Sequence, residues 1–90
     1  MDLFFIRTYD SSSSHFTMLG IADSFESIQQ ILNGYVMDYN GEDVICEITP
    51  DIFETLQTKG VAEIDDDDKF CGESFLFYKF KLNECKNLHW

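Results

Sequence analysis

The sequence predicts an α+β domain: a mainly antiparallel sheet with two short helices on one face, in the order ββαββαββ. Three observations predict it. Runs rich in aromatic and β-branched residues recur along the chain. Two segments carry helix start and stop signals around an apolar stripe. Asn40-Gly41 lies between two β-rich runs, the strongest short hairpin signal. Ninety residues make one domain, 1–90, with no room for a second core.

Each element follows in order. "LFFIRTY" (Leu3–Tyr9) and "HFTMLGI" (His15–Ile21) read as strands joined by the polar turn Ser11–Ser14. Ser24–Asn33 is expected to be a helix. Asp23 and Glu26 have capping-box spacing, and Phe25, Ile28, Ile31 and Leu32 make one stripe. Asn33-Gly34 supplies a left-handed stop. Tyr35–Tyr39 and Asp43–Ile48 are then expected to pair through Asn40-Gly41, setting Val36 against Ile45, Met37 against Val44, and Asp38 against Asp43. The rival reading runs the helix on to Tyr39, at a cost of about 1 kcal/mol for Gly34. Pro50–Lys59 is the second helix, with Thr49 as N-cap, Pro50 at the first helical position and Lys59-Gly60 closing it. Val61–Ile64 is a short strand, Asp65–Asp68 the connection, and Glu73–Leu82 the longest strand. The residues Phe25-Glu26-Ser27-Ile28-Gln29 echo Phe53-Glu54-Thr55-Leu56-Gln57, which two helices obeying the same capping and stripe rules would produce without duplication. Phe5, Phe25, Ile28, Leu32, Phe53, Leu56 and Phe77 are the expected core.

The composition, 44% hydrophobic and 16% aromatic, supports a packed core and not a disordered acidic tail. No apolar run is long enough to span a bilayer. The start, "MDLFFIRTYD", lacks the basic residues and cleavage site of a signal peptide. Cys46, Cys71 and Cys85 are odd in number and widely spaced, with no C-x-x-C pair. That argues for reduced thiols in the cytoplasm, Cys46 in the core, and against a zinc site or a disulfide framework.

Charge is the strongest signal. The net charge is −11, and the block from Asp38 to Glu73 holds twelve acids against two lysines. Such a block repels nucleic acid and anionic membranes, so direct binding to either is not expected. Its centre, Asp65-Asp66-Asp67-Asp68-Lys69, looks like an enterokinase site, but it lies between native-looking stretches and not at a chain end.

Catalytic chemistry finds little purchase here, and an enzyme is not expected. Ser11–Ser14 beside His15 lacks a nucleophile-elbow pattern, and the five glycines form no phosphate-cradling loop. The acids look solvated, whereas a general acid or base needs a perturbed pKa. Counted from Asp65, a calcium loop would need glycine at the sixth position and glutamate at the twelfth; Phe70 and Leu76 stand there. No metal or cofactor is expected.

What remains is an anionic protein-binding surface. Its expected members are Asp38, Glu42, Asp43, Glu47, Glu63, Asp65, Asp66, Asp67, Asp68 and Glu73. In size and charge alone, with no shared motif, the chain resembles small acidic inhibitors that mimic DNA, among them phage anti-restriction and anti-CRISPR proteins. The resemblance implies a partner with a basic, nucleic-acid-binding surface. An immunity-type protein against a cationic toxin fits the same charge. A subunit that self-associates as a homodimer through the apolar strand 73–82 is a further alternative, and so is a surface whose acids serve only solubility.

Overall fold

The computed structural model describes residues 2–10, 15–39, 41–65 and 73–81. The expected α+β architecture and the order ββαββαββ are present: β1 Asp2–Asp10, β2 His15–Ala22, α1 Phe25–Asn33, β3 Val36–Tyr39, β4 Glu42–Ile45, α2 Pro50–Lys59, β5 Val61–Asp65 and β6 Glu73–Lys81. Four strands form one antiparallel sheet in the order β2-β1-β6-β5, and β3 and β4 form a separate hairpin. No helix among the described residues is long and apolar enough to cross a membrane.

Period-two alternation divides the sheet residues between two faces. Phe4 and Ile6 of β1, Ala62 of β5, and Phe75 and Phe77 of β6 meet Ile28 and Leu32 of α1 and Leu56 of α2 in one buried cluster. The helices therefore cover one face. The expected core holds for Ile28, Leu32, Leu56 and Phe77. Phe25 and Phe53 are only half-buried, stacked edge to face at 5.3 Å along the rim of the helices. Phe5 is a correction: it is half-buried on the opposite face beside Tyr78, because its neighbour Phe4 takes the helix side. β6 is apolar toward both faces, and Ser74–Tyr78 are all buried. It pairs with β1 on one side and β5 on the other, which leaves it no free edge for self-association.

Both helix boundaries rest on local chemistry. The first cap differs from expectation. Ser24, not Asp23, is the N-cap; its hydroxyl accepts from the Ser27 amide at 3.1 Å, while the Ser24 amide donates to the Ser27 hydroxyl at 2.9 Å. Glu26 lies one position too early to reach back. Asp23 instead accepts the Ser27 hydroxyl at 2.9 Å. Gly34 is also a correction: its φ of −81° is right-handed, and α1 ends by tightening through bonds from Gly34 and Tyr35 to the carbonyls of Ile31 and Leu32. The α2 signals stand as read, with Thr49 capping, Pro50 leading and Gly60 left-handed at φ 82°.

The hairpin has the expected register, Val36 to Ile45, Met37 to Val44 and Asp38 to Asp43, and α1 does not run on to Tyr39. Asn40 lies outside the described residues; Gly41 has the positive φ of 82° that the turn needs. β4 stops at Ile45, three residues short of expectation. The reason is a side chain. Gln29 of α1 donates to the Cys46 carbonyl at 3.1 Å and accepts from the Ile48 amide at 2.8 Å. It replaces a strand partner, and it draws Cys46 and Ile48 into the core.

Candidate functional site

The candidate acids are placed by two structures, the hairpin and one end of the sheet. On the hairpin, Asp38 lies opposite Asp43, and Glu42 opposite Tyr39. Asp38, Glu42 and Asp43 are exposed. The Asp38 carboxylate accepts from the Gly41 amide at 3.1 Å, which helps shape the turn. Glu47 is exposed between the two residues that Gln29 clamps, so its backbone is fixed while its carboxylate faces solvent.

At the end of the sheet, the last residue of β1, Asp10, is paired with the first of β6, Glu73. Asp65, the last residue of β5, is paired with Ser74. Tyr35 joins the two groups. Its hydroxyl donates to the Glu73 carboxylate, and its ring packs edge-on against Phe75 at 5.9 Å. Burial, together with the hydrogen bond and charge of Glu73, pushes the Tyr35 hydroxyl above its ordinary value. Tyr35 is thus neutral at physiological pH and able to hold the hairpin root over the acidic end.

The candidates do not share one plane. Directly opposed residues of antiparallel strands lie on the same face. Glu73, opposite Asp10, is on the helix side, whereas Glu63, opposite Leu76, and Asp65, opposite Ser74, are on the other. The acids wrap around the end of β5 and β6. Partial desolvation, and then the charge of Asp65, raise the Glu63 carboxyl above the usual glutamate range. Asp66, Asp67 and Asp68 lie outside the described residues.

Among the described residues, none of the candidate acids is ion-paired. An ion pair between Lys79 Nζ and Asp2 Oδ2, at 3.6 Å, lies at the opposite end of the sheet, where Asp2 faces Lys81 across β1 and β6. Lys59, Lys79 and Lys81 line a shallow cleft there with Gly60 at the C-terminus of α2. Lys79 also donates to the Gln57 carbonyl at 3.0 Å. Charge is therefore separated along the strands, with acids at one end and three lysines at the other.

Sequence reasoning missed Asp10. It looks like an ordinary turn residue until β1 is known to pair with β6. It also missed Tyr35, whose phenol could have been flagged as one polar handle in an otherwise apolar strand start. Among the described residues no group of three or more His, Cys, Asp or Glu could hold a metal ion. Comparison with protein-family models, with curated proteins and with solved structures returned no match to this chain.

Proposed function

We propose that this chain is a small cytoplasmic interaction module, not an enzyme, whose acidic end occupies the basic, nucleic-acid-binding surface of a partner protein and inhibits it. The observation that carries this reading is the separation of charge. Among the described residues the candidate acids have no ion-pair partner, and three of the chain's six basic residues sit at the far end of the sheet. An end of this kind orients the molecule in the field of a cationic groove and speeds encounter. Glu63 and Asp65 on one side of the sheet, and Asp38, Glu42, Asp43 and Glu73 on the other, would reach two walls of such a groove, as a duplex presents two backbones.

The test is capture from a cell lysate on immobilised protein, at low and at high salt, followed by competition of duplex DNA for any captured protein. The expected result is a basic nucleic-acid-binding protein that is lost at high salt and released by DNA. A captured cationic toxin with no nucleic-acid site would move the reading to an immunity protein. Binding that survives high salt would overturn the reading.

A further inference from the structure

The two edges of the four-stranded sheet are unlike. β5 carries Glu63 and Asp65, charges of the kind that keep an exposed edge from pairing. β2 carries nothing comparable: from Phe16 to Ala22 it holds no acid and no base. Its outer edge is unpaired among the described residues, and its side away from the helices shows Phe16, Met18 and Ile21 at 47%, 61% and 51% exposure. Phe16 is held in place from below. The Arg7 guanidinium lies 4.2 Å from its ring centre, Tyr9 packs on it at 4.8 Å, and Arg7 itself donates to the Tyr78 hydroxyl at 2.9 Å. A large apolar side chain fixed on an unguarded edge is prepared for a partner.

We infer that β2 is the interface of a homodimer, in which two copies pair antiparallel about a two-fold axis at Thr17. Three features select a second copy as the occupant. The stretch Phe16-Thr17-Met18 is self-complementary about Thr17: Phe16 falls opposite the partner's Met18 on one face, and Thr17 opposite the partner's Thr17 on the other. The first is an aromatic–sulfur contact, made twice by symmetry. The bulge between Gly20 and Met18 confines regular pairing to this half of the strand. Charge is the third feature. With −11 per chain, two copies approach most easily through an uncharged strand. Antiparallel pairing of β2 makes the two acidic ends face in opposite directions along the strands, each free to engage its own target. A cationic partner, by contrast, has nothing on β2 to recognise.

Sedimentation equilibrium of the full chain at about 0.1 mM, where an interface of micromolar affinity is saturated, reads the mass directly. The expected result is twice the mass of one chain. Met18→Lys should weaken the dimer about tenfold or more. Ile45→Lys makes the same charge change at an exposed apolar position of the hairpin and should leave it intact. Amide exchange of the unmodified chain gives a second reading: protection of residues 16–18 should rise with concentration, and that of β5 should not. A monomer at this concentration overturns the inference. So does equal behaviour of the two variants, or concentration-dependent protection confined to β5 or to the hairpin.

Discussion

Replacing Gln29 tests how the candidate surface is held. Its amide makes two bonds to the segment that carries Glu47, one to the Cys46 carbonyl and one from the Ile48 amide, with a third contact to Asn33 at 2.9 Å. Gln29→Met keeps the length, the apolar stem and the helix preference, and removes only the hydrogen-bonding head. A side-chain bond contributes about 0.5–1.5 kcal/mol net, and a buried donor left unsatisfied costs about 1–3 kcal/mol. Cys46 and Ile48 are both buried, so their backbone groups have little water to turn to. The expected loss is about 2–4 kcal/mol, a large part of the roughly 5–10 kcal/mol of a domain this size. Urea unfolding measures it as a lowered midpoint at unchanged slope. A loss below about 0.5 kcal/mol would refute the reasoning, since water would then be satisfying both groups. Gln29→Glu sharpens the result. It keeps the acceptor for Ile48 but sets a negative charge against the Cys46 carbonyl, and should fare no better than Met.

Phe4→Ala should cost about 3–5 kcal/mol by denaturant unfolding, and Phe5→Ala distinctly less, because Phe4 is buried under the helices while Phe5 is half-exposed on the other face. Glu63→Gln should raise stability slightly at neutral pH. The Glu63 carboxyl titrates above its ordinary 4.5 in the folded state, so the folded chain holds more protons just above that pH, and stability falls as pH rises through this window. Thermal unfolding across the window should be flatter in the variant than in the parent. Replacing Asp65–Asp68 together with Asn should leave stability unchanged or slightly higher, yet slow association with a basic partner and flatten its salt dependence. Unfolding of that variant, seen by circular dichroism, would mean instead that the carboxylates serve the fold.

Local signals in the sequence were enough for most elements but not for their assembly. Pro50–Lys59 could be read residue by residue because a cap, a proline and a left-handed glycine each fix one backbone position. The hairpin register followed from a two-residue turn, which leaves only one way to pair the flanking strands. The cap of α1 was misplaced by one residue, since Ser24 and Ser27 satisfy each other through hydroxyls that both donate and accept, a pairing that composition does not distinguish from Asp23 and Glu26. The pairing of β1 with β6, the Gln29 clamp and the bond from Arg7 to Tyr78 join residues 17 to 79 positions apart. Nothing local encodes them. The candidate site shows the same division: its acids were visible as a charge block, whereas the two faces they occupy depend on long-range pairing.

That division bears on why the acids are there. Like charges set opposite one another in a sheet destabilise it, by up to about 1 kcal/mol a pair. This fold accepts one such pair at Asp38 and Asp43, and places Asp10 opposite Glu73 at the end of the sheet. A merely solubilising surface needs net charge and no particular arrangement; it would do as well with lysines scattered among the acids, and the fold would be more stable for it. Here Lys79 is engaged by Asp2 and the Gln57 carbonyl at the far end, and Lys59 and Lys81 lie beside it. The separation of charge, more than its total, is what solubility leaves unexplained. The proposed approach to a cationic surface would account for it, because a molecule with an acidic end and a basic end is turned by the field before contact, while one with evenly mixed charge is not.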